Sequence, residues 1–162
     1  MPHYVRKCSS NEYGALYELI PPVRYTLRNT QLPNGLETHY DKKHLNWTCS
    51  DEDVRILYAQ LTDIISSVYR YINRDSPESV NFRHGFRLGQ PDTPNMIETQ
   101  TYPRITSHKI FVHEPGEIFT YGSLTPGFQA SEVQIECKHI WTKTGTTDVR
   151  VVWYTSSVRP TR

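Results

Sequence analysis

"SDEDVRILYAQLTDIISSVYRYIN", residues 50 to 73, carries apolar side chains at positions 54, 57, 58, 61, 64, 65, 68 and 72. That i, i+3, i+4, i+7 spacing gives a helix with one apolar face. Ser50 stands at the N-cap, and Asp53 three residues on approximates the return half of a capping box. Asp51, Glu52 and Asp53 set negative charge against the positive end of the helix dipole. Cys49 and Val54 occupy the two positions of a hydrophobic staple. Asn73 can stop the helix, and Pro77 prevents its renewal. The predicted helix, 51 to 72, is about 33 Å long, enough to cross one face of a small sheet.

The rest of the chain supplies that sheet. In "SEVQIECKHIWTKTGTTDVRVVWYTSS" (131–157), Val133, Ile135, Cys137, His139 and Trp141 alternate along one strand, and Val149, Val151 and Trp153 along the next. Period-2 alternation puts each set on one face. A three-residue loop of Lys143, Thr144 and Gly145 keeps the two sets on the same side and gives glycine the left-handed position. In "ALYELIPPVRYTLRN" (15–29) the two prolines predict an edge strand or two short strands. "LETHYDKKHLNW" (36–47) has no clear period. "FRHGFRLGQPDTPNM" (82–96) reads as a long Gly/Pro loop. "IETQTYPRITSHKIFV" and "EIFTYGSL" read as strand. The expected fold is α+β: a single domain over 15–162, in which an antiparallel β-sheet is covered by one long amphipathic helix, preceded by a loose N-terminal tail at 1–14.

The composition narrows the function. The 162 residues carry 18 Lys and Arg against 17 Asp and Glu, a net charge of +1, which excludes a broad basic field for coating nucleic acid. Only 36% of residues are hydrophobic, so the core leans on aromatics, among them 11 tyrosines. Three cysteines, Cys8, Cys49 and Cys137, show no CxxC spacing and predict no disulfide framework. "MPHYVRKCSSNEYG" has no apolar signal region, and no run is long enough for a membrane span, so a cytosolic, reducing location is expected.

No stretch supplies a catalytic constellation. His108 and His113, five residues apart, fall on opposite faces of a strand, and Glu114 and Glu117 read as solvated turn residues. Cys137 and His139 share a side by parity, but two ligands are too few for structural zinc. Nucleophile-elbow and Gly-rich phosphate motifs are absent. No catalytic residue, metal or cofactor is therefore expected. The binding candidate is "FRHGFR" (82–87), where Arg83, His84 and Arg87 interleave with Phe82 and Phe86. Guanidinium with aromatic suits single-stranded nucleic acid or an anionic surface. Arg6 and Lys7, and Lys42 and Lys43, form two smaller basic clusters.

The element order carried by "PVRYTLRN", "DVRILYAQLTDIISSVYRYI" and "EVQIECKHIWTKTGTTDVRVVWYTSS" resembles the matrix proteins of rhabdoviruses, particularly small plant-infecting members. That resemblance implies a non-enzymatic viral structural protein, in the virion and on the cytoplasmic, inner face of the membrane. Its partners would be copies of itself, the viral nucleocapsid or RNA, and an anionic membrane surface bound peripherally. The inserting strap of self-association would be the tail, with Tyr4, Val5 and Tyr13. "PPVRY" (21–25) departs from a PPxY motif by one extra residue, and the basic tail is reduced to Arg6 and Lys7. Two other classes stand beside this reading. One is an RNA-binding accessory protein, such as a silencing suppressor, using Arg83, Arg87 and the basic clusters. The other is a small hydrolase using His108, His113 or His139.

Overall fold

The structure, a computed structural model, describes residues 3–39, 42–73, 81–101, 109–111, 118–120, 124–144 and 148–161. In chain order its elements begin with β1 (Tyr4–Ser10), β2 (Gly14–Leu32), β3 (Leu36–His39), β4 (Lys42–Cys49) and α1 (Asp51–Asn73). They continue with β5 (Asn81–Arg83), β6 (Phe86–Arg87), β7 (Asn95–Thr101), β8 (Lys109–Phe111), β9 (Ile118–Thr120), β10 (Phe128–Lys143) and β11 (Asp148–Pro160).

α1 forms where the spacing places it. Ser50 Oγ accepts from the Asp53 amide at 3.0 Å, and Asp53 Oδ2 accepts from the Ser50 amide at 3.1 Å, which closes the capping box. Leu57, Leu61, Ile65 and Val68 are buried along one face. Ser50→Ala removes one cap bond and is expected to lower stability by about 1 kcal/mol in urea unfolding, with an unchanged midpoint as the contrary result.

The expected architecture is corrected: α1 does not roof an antiparallel sheet. Strand dominates the described residues, in a mixed nine-stranded sheet ordered β1-β2-β10-β11-β7-β4-β3, with β5 on β11 and β6 on β7. β8 and β9 pair separately. β11 runs parallel to β5 and to β7, and the other pairs are antiparallel. The sheet also curls. Thr30 Oγ1 of β2 donates to the Thr48 carbonyl of β4 at 2.6 Å, and the Gln31 amide donates to Thr48 Oγ1 at 3.1 Å. Two strands remote in the sheet order therefore meet, and β2, β10, β11, β7 and β4 form a partly closed barrel. Its core is its own concave face, where Leu27, Trp47, Ile97, Ile135 and Trp153 are fully buried. A curled sheet needs no helical roof, so the apolar face of α1 joins this cluster instead.

Four further expectations change. The N-terminal tail is not loose over 4–10: β1 pairs antiparallel with β2 from Tyr4↔Ile20 to Ser10↔Ala15. β2 runs unbroken from Gly14 to Leu32; β1 and β10 flank it over 15–20, and beyond Ile20 its ladder is with β10 alone. Its prolines sit where the ladder skips from Cys137↔Val23 to His139↔Glu18, so Pro21 and Pro22 oppose no regular partner. The Gly/Pro loop holds two short strands, β5 and β6, filling the space where β11 and β7 part. The β10/β11 hairpin takes another register, Thr142↔Val149 near the turn, and Lys143 lies in the strand. A bulge between Cys137 and His139 then reverses the parity of β10, so Cys137 and Ile140 are both fully buried while His139 leaves the core face. Gly145 lies outside the described residues.

Candidate functional site

Strand alternation in β4 sends Leu45, Trp47 and Cys49 into the core and leaves Lys42, His44 and Asn46 on the convex face. β7 does the same, with Ile97 and Thr99 inside and Glu98 and Gln100 outside. Register aligns these into rows. His39 stands opposite Lys42, and Glu37 stands opposite His44, which in turn faces Gln100. Asn46 stands opposite Glu98. With Arg87 from β6 and Arg150 from β11, these side chains line an open groove of about 460 Å³.

The groove has a floor and a rim. Asn46 is buried, and Glu37, His44, Glu98 and Gln100 are half-buried, whereas His39, Lys42, Arg87 and Arg150 are exposed. Asn46 Nδ2 donates to Glu37 Oε2 at 2.6 Å, and Arg87 donates to Glu98 Oε1 at 2.7 Å. The rings of His39 and His44 lie with centroids 5.4 Å apart. Burial holds His44 below the usual imidazole pKa, and repulsion from His39, Arg150 and Lys42 adds to that against the pull of Glu98.

The arginines of the neighbouring strands are paired. Across β2 and β10, Arg24 pairs with Glu136 at 3.1 Å and Arg28 with Glu132 at 2.5 Å. On β1, Arg6 pairs with Glu18 at 2.5 Å. In the groove, Lys42 and Arg150 make no ion pair among the described residues. A second depression of about 560 Å³ lies beside the start of α1, near Tyr25, Arg28 and Asp53. There Asp53 bonds Ser50 and Tyr25, and Arg28 bonds Glu132.

The sequence candidates divide among several places. Lys42 and Arg87 come together in the groove. Lys43 has the parity of Leu45 and Trp47, away from the groove. Arg6 and Lys7 lie on β1. In the 82–87 segment, Phe82 and Phe86 pack against the core. His84 lies between them, with its ring 4.8 Å from Phe86, 5.2 Å from Tyr58 and 6.1 Å from Phe82, and Arg83 approaches Asp148 at 3.9 Å. Gly85 has φ +85°, and a Cβ there would meet the Trp153 ring at 2.9 Å, so only glycine lets this segment lie across the indole. Of the strap residues, Tyr4 and Tyr13 are exposed and Val5 is buried.

His139, parted from Cys137 by the bulge, bonds Tyr154 Oη through Nδ1 at 2.8 Å. Among the described residues no three His, Cys, Asp or Glu gather for a metal, and no helix is long and apolar enough to cross a membrane. His108, His113, Glu114 and Glu117 lie outside the described residues. Sequence reasoning missed Glu37, His39, His44, Asn46, Glu98, Gln100 and Arg150. The signal was alternation in "HLNWTC" (44–49), whose polar members share one face; in "NMIETQT" (95–101) Glu98 and Gln100 share a face but polar Thr99 lies on the other with Ile97.

Burial also lowers the pKa of His84 and His139. Below the ordinary imidazole value of about 6.5, the unfolded chain therefore binds protons that the folded chain refuses. Stability is complete above that pH and is lost as pH falls through the window beneath it. The melting temperature is expected to drop between about pH 7 and pH 5; a flat or rising profile contradicts this.

The chain matches no family model and no curated protein. Among solved structures it is similar to the single-stranded DNA-binding protein from bacteriophage Enc34 in complex with ssDNA, at 11% identity and a TM-score of 0.49, over 98% of this chain and 95% of that chain.

Proposed function

We propose that this chain binds single-stranded nucleic acid without catalysing a reaction, laying the strand across the convex face of β3, β4, β7 and β11. Partly closed five-stranded barrels present a sheet face to oligonucleotides, but architecture alone does not give a function. One observation carries the reading. Among the described residues Lys42 and Arg150 stand exposed and without a carboxylate partner over a polar floor, while Arg6, Arg24 and Arg28 elsewhere on the sheet are paired off.

Unpaired cations on a rim suit phosphates, and half-buried amides, carboxylates and imidazoles suit base edges. Few cations take part, so contact is local and the near-neutral composition is no obstacle. The groove supports the nucleic-acid alternative rather than matrix-type self-association.

Fluorescence anisotropy with a labelled single-stranded oligonucleotide across a salt series tests the proposal. Two to three phosphate contacts predict a log–log slope of about −1.4 to −2. Absence of binding, or binding indifferent to salt, overturns it.

A further inference from the structure

Two imidazoles stand among the cations of this groove. His39 of β3 opposes Lys42 of β4, Glu37 of β3 opposes His44 of β4, and the two histidine rings lie with centroids 5.4 Å apart. Among the described residues, the charged groups lining the groove around them are Glu37 from β3, Lys42 from β4, Arg87 from β6, Glu98 from β7 and Arg150 from β11. Gln100 of β7, which opposes His44, is neutral. Asp41 lies outside the described residues. Glu37 Oε1 is 4.0 Å from His39 Nε2, and Glu98 Oε1 accepts from Arg87. Three cations against two carboxylates give the groove a net charge of one while both rings are neutral, and a proton on each ring raises it to three.

The empty groove opposes that protonation. Burial disfavours the charged form of His44, and repulsion from His39, Arg150 and Lys42 adds to this against the pull of Glu98. Phosphates drawn to Lys42 and Arg150 offset the repulsion those two side chains exert on His44. His39 opposes Lys42 and is exposed, so as an imidazolium it offers a strand one more charged donor. Resting on the strand-binding reading of the groove, we infer that His39 and His44 are its proton-coupled binding residues, taking up protons as the groove takes up a strand. His39 acts as a direct donor to phosphate, and half-buried His44 acts through its charge beneath the rim. The bound chain then holds more protons than the free chain, so affinity rises as pH falls. The acid loss of stability set by His84 and His139 weakens binding, which is the opposite sign, so it cannot imitate the rise.

The test is anisotropy with the full chain and a labelled oligo-dT at fixed ionic strength, from about pH 8 to about pH 6. Oligo-dT has no group that changes charge between neutral and mildly acid pH, so the protons taken up sit on the protein. The expected result is binding at least about tenfold tighter at the acid end. Glutamine at both His39 and His44 should abolish the rise. His39→Gln alone, at an exposed position, should remove part of it, which keeps the readout should the double variant fail to fold. His139→Gln, outside the groove, should leave the rise in place. Affinity that is flat or falls with acid in the unaltered chain overturns proton coupling while leaving strand binding intact. A rise of full size in the His39 and double variants overturns the assignment to these two rings. No binding at either pH overturns the strand-binding reading itself, and proton coupling with it.

Discussion

If the groove binds a strand as proposed, alanine at both Lys42 and Arg150 is expected to weaken binding of a single-stranded oligonucleotide by about 10- to 100-fold at low salt, since each would remove a charge-assisted contact to phosphate. Both side chains are exposed, so the fold should be untouched. The log–log salt slope should shrink by about 1.4, because two fewer counterions are released. The matched control is alanine at Arg24 and Arg28, whose guanidinium groups already face Glu136 and Glu132. That pair removes equal charge, and affinity is expected to stay within about threefold, since pairing has already spent the attraction. Equal losses from the two double variants would mean that binding follows net charge alone and that the groove has no part in it.

The largest effect on stability is expected from Trp47→Ala, at about 3–5 kcal/mol in equilibrium urea unfolding. Trp47 is fully buried on the concave face, and its Nε1 donates to Thr155 Oγ1 at 2.9 Å. Thr155 and Thr99 share a hydroxyl hydrogen bond at 2.6 Å, and Thr99 donates to the Leu45 carbonyl at 2.6 Å. One relay of donors thus ties β4 to β11 and β7 through the barrel interior. Alanine opens a cavity and also ends the relay without its first donor. Trp47→Phe fills most of the volume and loses only the indole bond, so a smaller cost of about 1–2 kcal/mol is expected. A cost below about 1 kcal/mol for Trp47→Ala would contradict a core held on the concave face of the sheet.

Local chemistry was legible in the sequence where one element decides it alone. The helix start is the clearest case: Ser50 and Asp53 carry their cap in their own side chains, and the structure shows both bonds. The tertiary arrangement was not legible, because it depends on events that leave little local trace. A one-residue bulge at Lys138 reverses the parity of β10, which separates Cys137 from His139 and displaces the hairpin register. Nothing in "ECKHI" (136–140) announces it. The same bulge faces the two prolines of β2, so residues that suggested a broken strand instead mark an irregularity shared with β10, at the point where pairing with β1 ends. Closure of the barrel rests on Thr30 and Thr48, two residues with no distinguishing pattern.

The groove was half legible. "FRHGFR" drew attention by its arginines and aromatics, yet the phenylalanines serve the core and Arg83 faces Asp148. Only Arg87 of that run reaches the groove, where it meets Lys42 from a cluster that looked minor. The acceptors Glu37, Asn46 and Glu98 lie on three strands and converge only through register. Their polar character was visible, but their company was not.

The most direct test of the central claim is a titration of isotope-labelled protein with a short single-stranded oligonucleotide, followed by backbone and side-chain amide NMR shifts. Binding across the convex face predicts that the largest changes cluster on His44, Asn46, Glu98, Gln100 and Arg150, with Arg24, Arg28 and the exposed face of α1 unmoved. Shifts concentrated on β1, β2 or α1, or no shifts at millimolar strand, would contradict it.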